Sequence, residues 1–114
     1  MQSLSKVDIV FAQFPYEEDE ALKKSRPCLV LGIDVNNERF LAAKNTTTQI
    51  KSYWCVNLRA GTDDMKDGYL RFASCVNLYR REWITYSDFE FRIGALKREI
   101  FEEIVSKLTF TSKK

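Results

Sequence analysis

The sequence contains no histidine, and this absence excludes more chemistry than any other feature of its composition. Catalytic groups built on Ser-His-Asp or Cys-His need an imidazole base. Paired-histidine cleavage of RNA and most transition-metal sites need histidine as well. The three cysteines, Cys28, Cys55 and Cys75, have spacings that match no zinc motif. Chemistry in this chain therefore rests on Arg, Lys, Asp, Glu, Ser, Thr or Tyr, and we expect no metal or other cofactor.

Two further absences concern the membrane and the cell compartment. No apolar run is long enough to span a bilayer, and the first residues, 1–6, lack the apolar region of a signal peptide. An odd number of cysteines, each in a strand-like stretch, is typical of reduced, buried thiols. The sequence therefore predicts a cytoplasmic protein without a membrane partner. Its length of 114 residues suits one domain, 1–114.

The net charge of +2, from 18 basic and 16 acidic residues, is too small to indicate nucleic-acid binding by itself. The distribution of charge is more informative. An acidic block at 17–20 is followed directly by Lys23, Lys24 and Arg26. This block lies in a polar segment, 16–25, that we interpret as a loop, and loops of this length in small domains often carry function.

Short apolar segments bounded by turn residues make up most of the chain. The segments predicted as strands are 7–14, 26–33, 39–44, 52–58, 69–79, 83–86 and 89–94, with a bend inside 69–79 and a loop over 59–68. The last segment changes to a helical period over about 97–108, with Ile100, Phe101, Ile104, Val105 and Leu108 on one face. This pattern predicts a mainly β fold with a C-terminal helix, arranged as an SH3-like, partly open β-barrel with the helix over an open side.

The segment 23–32 leads a basic, polar approach into an apolar strand, and Arg26 stands at the junction. Pro27 favours the first position of a strand and biases Arg26 toward an extended backbone. Arg26 is therefore expected at a strand mouth, outside the core. A guanidinium held there suits phosphate recognition, although a surface arginine that only ends a loop fits the same pattern.

Four segments in order resemble the MazF/PemK/Kid growth-inhibitor toxins of type II toxin–antitoxin systems. Residues 7–15 are similar to an opening strand that often contains G-D-I-V and then Phe-Pro, and 25–31 resemble an R-R-P-x-L-V-L strand. Residues 41–50 resemble the strand whose end carries a Thr or Ser, and 92–96 resemble an I-G-x-L segment before a helix. Two positions depart from the pattern, because Ser25 replaces the first of the paired arginines and no acid precedes Arg80.

The resemblance implies an SH3-like barrel, a homodimer, a cognate antitoxin and sequence-specific, metal-independent cleavage of single-stranded RNA. Its catalytic residues map onto Arg26 and Thr47, with Thr46 and Thr48 as alternatives. Read from the chemistry alone, the RNA 2′-hydroxyl attacks the phosphate, Arg26 clamps phosphate oxygens and a threonine hydroxyl donates to another. Arginine is a poor base, so the base stays unassigned among the acids of 17–20.

Single-stranded RNA also needs stacking surfaces and backbone cations. The predicted RNA-binding residues are Tyr16, Lys23, Lys24, Thr46, Thr48, Gln49, Lys51 and Arg80, with Lys44 as a further phosphate contact. Tyr53, Trp54, Tyr79 and Trp83 are further stacking candidates, and core or dimer packing is the simpler explanation for each aromatic. Two other functions stay open. One is a non-cleaving SH3-like module that binds RNA or protein, and the other is a toxin of the same fold that inhibits a protein such as DNA gyrase.

Overall fold

The computed structural model describes residues 4–16, 18–19, 21–47 and 53–112, without the side chains of 109–112. Within these residues there are seven strands and one α-helix. The strands are β1 (Asp8–Pro15), β2 (Lys23–Asp34), β3 (Arg39–Thr46), β4 (Cys55–Leu58), β5 (Met65–Gly68), β6 (Ser74–Thr85) and β7 (Phe89–Leu96), followed by helix α1 (Arg98–Ser112). The predicted mainly β fold with a C-terminal helix is confirmed.

One antiparallel sheet holds all of these strands, in the order β4-β6-β3-β2-β1-β7-β5. The predicted hairpin of the second and third strands is present, joined by a short 3₁₀ turn at Val35–Asn37. The side chain of Asp34 caps this turn by accepting the backbone N–H of Asn37. Because β4 and β5 are the two ends of the order and do not pair, the barrel is not closed.

Strand β6 contains a bulge where the sequence predicts a bend, and the bulge lies at the end of the predicted strand 69–79. Ala43 of β3 pairs with Arg81, and the next residue, Lys44, pairs with Asn77. The three residues between, 78–80, therefore bulge out of the ladder. The predicted strand boundaries were wrong here, because 69–73 lie before the strand and 83–85 continue it beyond the bulge.

Two other strands differ from the predicted ones in their start or in their presence, because backbone pairing determines them and their apolar pattern does not. Strand β2 begins at Lys23, since 23–25 pair with 13–15 of β1, which shortens the predicted loop to 16–22. Strand β5 lies within the predicted loop 59–68 and pairs with β7. Gly68 has a φ of +73°, and a Cβ there would lie 2.4 Å from the carbonyl oxygen of Ile93. Only glycine permits this approach.

The sheet buries a core on each face. The helix-side core contains Ile9, Leu29 and Val76, with Ile104 of α1 fully buried against them. The core on the other face of the sheet contains alternate residues of β1, β2 and β3, among them Val10, Phe14, Cys28, Val30 and Phe40. The helix thus covers an open side of the sheet, as predicted. Val105 is the exception, since its side chain is 40% exposed beside the buried face.

All three cysteines are free thiols and are buried, as the sequence predicts. Burial raises the pKa of the Cys28 thiol to about 12, which removes it as a nucleophile near neutral pH. In the described part of the chain, no group of three Cys, Asp or Glu side chains lies close enough together to hold a metal ion. None of the described helices has the length and apolar character needed to cross a membrane.

Candidate functional site

Arg26 lies in a cleft of about 270 Å³ that we call the Arg26 cleft. Its lining residues are Pro15, Tyr16, Glu18, Arg26 and Lys44. Alternation along β2 explains the position of the arginine, since Arg26 shares a face with Cys28 and Val30, which are fully buried in the opposite core. Arg26 continues this row to the place where the core ends. Its side chain therefore lies at the edge of this core. The prediction that Pro27 begins the strand and places Arg26 at its mouth was wrong, because β2 begins at Lys23 and Arg26 pairs with Ala12 inside the ladder.

Arg26 is a partly buried residue, and its guanidinium makes no hydrogen bond or ion pair with any described residue. Lys44 stands on the neighbouring strand, where it pairs with Cys28. Two cations thus face the same cleft, with the carboxylate of Glu18 also in its lining. A half-buried cation with its donors unused is suited to an anionic ligand such as a phosphate.

Arg80, predicted to bind RNA, is tied into the wall beside this cleft. Its Nη2 donates to the carbonyl oxygen of Pro15 at 2.7 Å, and its Nη1 donates to Glu82 at 2.9 Å. Its guanidinium carbon lies 5.3 Å from the centre of the Phe14 ring, and its side chain is 15% exposed. Arg80 therefore positions the end of β1, from which Pro15 and Tyr16 reach the cleft.

Thr46 is the last residue of β3, and Thr47 follows it. The pairing of β2 with β3 ends at Cys28 and Lys44, and Thr46 pairs with Cys75 of β6, on the same face of β3 as Lys44 by alternation. Thr47 is one residue further and lines a different groove. Neither Thr46 nor Thr47 is among the residues that line the Arg26 cleft. Thr48, Gln49 and Lys51, and the acids Glu17 and Glu20, lie outside the described residues.

The other predicted loop residues have defined places. Tyr16 lines the Arg26 cleft, and its backbone N–H donates to the carbonyl of Leu22 at 2.9 Å. Lys23 Nζ bonds Asp88 at 2.8 Å, whereas Lys24 is exposed. Among the acids of 17–20, Glu18 lines the cleft, whereas Asp19 accepts the backbone N–H of Ala21 at 3.0 Å. Glu18 is therefore the described acid that can reach a ligand at Arg26.

The proposed stacking aromatics, apart from Tyr16, lie elsewhere. Tyr53, Trp54 and Tyr79 form a cluster with ring centres 5.6 and 6.1 Å apart, and Lys107 of the helix lies 4.9 Å above the Tyr53 ring. Trp83 is covered by the guanidinium of Arg39 at 4.2 Å. None of these four rings lines the Arg26 cleft. For them the packing explanation fits the structure better than stacking on RNA at this cleft.

A second groove, of about 430 Å³, was not predicted from the sequence. We call it the Asn45 groove, and its lining residues are Phe11, Pro27, Asn45, Thr47, Tyr69, Leu70, Arg71, Phe72, Ser74, Phe91 and Ile93. Asn45 is 2% exposed and Ser74 is 6% exposed. The side-chain nitrogen and oxygen of Asn45 and the hydroxyl of Ser74 have no hydrogen-bond partner among the described residues. The available sequence signal was Asn45 itself, a polar residue following an apolar strand.

An exposed polar network joins the strands beside the two cavities. Ser25 Oγ donates to Glu90 Oε1, and Gln13 Nε2 donates to Glu90 Oε2, each at 2.5 Å. Both hydrogen bonds lower the pKa of the Glu90 carboxyl, and the one from Ser25 has the larger effect. The position that departs from the paired-arginine pattern, Ser25, thus holds β7 against β1 and β2, while Arg26 stays without a carboxylate partner.

The chain forms an open antiparallel β-barrel with one terminal helix and with Arg26 of β2 in a cleft. The chain belongs to the PemK-like, MazF-like toxins of type II toxin–antitoxin systems, whose family model matches residues 5–111. No curated protein sequence matches it.

Three solved structures of mycobacterial proteins are similar to this chain. An endoribonuclease from a mycobacterial species has a TM-score of 0.72 at 15% identity, covering 99% of this chain and 94% of that one. The Mycobacterium tuberculosis toxin MazF-mt6 has a TM-score of 0.69 at 19% identity, covering 93% and 96%. A mycobacterial endoribonuclease in complex with its cognate antitoxin has a TM-score of 0.73 at 15% identity, covering 97% and 96%. At these identities the likeness shows the fold.

Proposed function

We propose that this toxin is a sequence-specific endoribonuclease that cleaves single-stranded RNA without a metal ion, and that cleavage takes place at the Arg26 cleft. The observation that carries the proposal is that Arg26, a partly buried residue in a cleft, has a guanidinium that pairs with no described residue. Family membership and the endoribonuclease names of two structural relatives support it.

The scissile phosphate lies against Arg26 and Lys44 in this proposal. Arginine offers a planar pair of donors to two phosphate oxygens, and Lys44 adds a second positive charge. Thr46 lies two residues after Lys44 on the same face of β3, and its hydroxyl donates to a further oxygen in this proposal. Charge that develops on the phosphorane oxygens is thus met by fixed donors, which is the strongest single source of catalysis in such sites.

The reaction itself needs only a proton acceptor in addition. The 2′-oxygen forms a bond to phosphorus, and the bond from phosphorus to the 5′-oxygen breaks. The proton of the 2′-hydroxyl passes to the carboxylate of Glu18, and the released 5′-oxygen takes a proton from water. The products are a 2′,3′-cyclic phosphate and a 5′-hydroxyl.

The test is to incubate the purified protein with a mixed RNA pool in EDTA and to map both ends of each product. We expect cuts within a short sequence motif, with cyclic phosphate ends. Activity lost in EDTA and restored by magnesium or manganese would reject this mechanism. Intact RNA under all conditions would favour the non-cleaving module or a toxin that acts on a protein.

We propose a homodimer and a cognate antitoxin as the protein partners. Large apolar side chains are exposed on the strands, among them Tyr79 at 75% and Trp83 at 47%. Exposure of this kind in a small domain is typical of a surface that another chain covers. Light scattering at high micromolar concentration should give the mass of a dimer, and a monomer throughout would contradict the proposal. A small acidic protein encoded next to the gene is the expected antitoxin.

A further inference from the structure

We propose that the Asn45 groove binds one unstacked base of the RNA substrate and that Asn45 reads its hydrogen-bonding edge. This inference rests on the proposed function, since it names what determines the choice of sequence by the same site. The groove contains the three features that recognition of a single-stranded base requires, namely aromatic walls, a buried polar reader and a cation at the exposed rim.

The buried reader is the feature that points to a ligand. Asn45 is 2% exposed, and both its amide donor and its amide acceptor lack a partner among the described residues. A buried amide in this state destabilises a fold, because its lost hydration is not replaced. The Ser74 hydroxyl, in the same groove, is unpaired as well. A ligand that offers a donor next to an acceptor would satisfy these groups.

A nucleobase is the occupant whose chemistry fits the rest of the groove. Its flat apolar faces match the rings of Tyr69, Phe72 and Phe91, which are 61%, 62% and 54% exposed. Its edge carries adjacent donors and acceptors, which a carboxamide can meet with two hydrogen bonds. Arg71 also lines the groove, is exposed and has no partner among the described residues, so it can contact the RNA backbone.

The position of the groove relative to the Arg26 cleft allows one RNA strand to reach both. Arg26 and Pro27 are consecutive residues of β2, and they line the cleft and the groove respectively. Lys44 and Asn45 divide in the same way on β3. Because consecutive strand residues face opposite sides of a sheet, the two cavities lie on either side of one β ribbon. A strand that crosses the end of this ribbon places a phosphate at one and a base at the other.

The experiment measures binding of four uncleavable 2′-O-methyl octanucleotides of otherwise identical sequence that differ in the central base. Wild type should distinguish the best from the worst base by about tenfold, the usual discrimination of a two-bond contact. Asn45→Asp turns the amide into a pair of acceptors, so it should shift preference toward guanine, which offers two adjacent N–H donors, by a similar factor. Asn57→Asp makes the same change at an exposed position of β4 outside both cavities and should leave the ranking unchanged.

Uncleavable strands separate this proposal from the proposed cleavage. A ranking that depends on Asn45 supports the groove even if wild type never cuts RNA. An identical ranking in wild type and folded Asn45→Asp overturns it even if wild type cuts. If Asn45→Asp changes the particle mass in light scattering and leaves the ranking of the four strands unchanged, the groove binds a second copy of the chain. That result would also overturn the proposal. If wild type binds none of the four strands, both the base-binding groove and the proposed RNA cleavage are rejected.

Two further variants keep the test decisive if Asn45→Asp does not fold. Phe72→Ala removes an exposed ring and should weaken all four strands by about tenfold without reordering them. Asn45→Leu removes the unpaired amide, so it should raise the melting temperature while abolishing base discrimination. An asparagine with a purely structural role would give a lower melting temperature and an unchanged ranking, which would overturn the proposal.

Discussion

Arg26 and Arg59 are the same side chain in two opposite electrostatic settings. Arg59 follows β4, and its Nη2 lies 2.6 Å from Oδ1 of Asp64, a carboxylate in a residue that is 3% exposed. The backbone N–H of Arg59 donates to the other oxygen of Asp64 at 2.8 Å. Arg26 has no carboxylate partner among the described residues. A guanidinium with a partner in the chain fixes a loop, and one without a partner is available to a ligand.

Growth arrest should give the largest difference between the two arginines. Expression of Arg26→Ala should not arrest growth, because the phosphate loses its two-pronged contact, and Arg26→Lys should restore little for the same geometric reason. Arg59→Ala should still arrest growth at a permissive temperature, and it is the matched control. Arrest by Arg26→Ala as strong as that by wild type would show that the site is assigned wrongly.

Threonine substitutions sharpen the account of the Arg26 cleft. We expect Thr46→Ala to slow cleavage by roughly tenfold or less, since a neutral hydroxyl contributes less than a charged donor. Thr47→Ala should affect the rate less, because Thr47 lines the Asn45 groove. Initial rates on one RNA sequence measure both. A larger loss for Thr47 would return the catalytic role to the residue to which the family resemblance assigns it.

Stability should respond in the reverse order to activity. Arg59→Ala leaves the buried carboxylate of Asp64 without its guanidinium, so the melting temperature should fall by several degrees. Arg26→Ala removes no hydrogen bond or ion pair to a described residue and should leave the melting temperature nearly unchanged. Thermal unfolding followed by circular dichroism compares the two variants. A larger loss for Arg26→Ala would mean that its role is structural.

Acid should weaken the fold through the same Arg59–Asp64 pair. The hydrogen bond from the Arg59 side chain lowers the pKa of Asp64 below its usual 3.8. A carboxyl whose pKa is lower in the folded state contributes stability above its unfolded pKa, and this is lost as the pH falls through the folded pKa. Denaturant unfolding should therefore show a decline below about pH 4 that is shallower in Asp64→Asn. An equal decline in both would exclude this pair as the cause.

The sequence was sufficient for the fold class, because apolar alternation marked most strands and the helical period marked α1. It did not reveal that β2 begins at Lys23, before Pro27, because this start depends on the pairing of 23–25 with β1. The sequence could not give the position of the bulge at 78–80, and it could not reveal strand β5. Each depends on pairing with a distant strand. The placement of Thr47, and not Thr46, in the lining of the Asn45 groove depends on strand register, which a slip of one residue reverses.

The Asn45 groove could not be predicted from the sequence for the same reason. It gathers side chains from β1, β2, β3 and β7 and from 69–74, and no local pattern reveals that they meet. An asparagine after an apolar strand is common, and only its burial without a partner marks it as unusual.

The most direct test of the central claim is the cleavage rate of a single-site RNA by purified wild type and Arg26→Ala, both folded, in EDTA. The account predicts that wild type cuts to a 2′,3′-cyclic phosphate and that Arg26→Ala is slower by roughly 10²-fold or more, the usual cost of losing a transition-state donor. Equal rates for the two proteins would contradict the assignment of the Arg26 cleft as the site of cleavage.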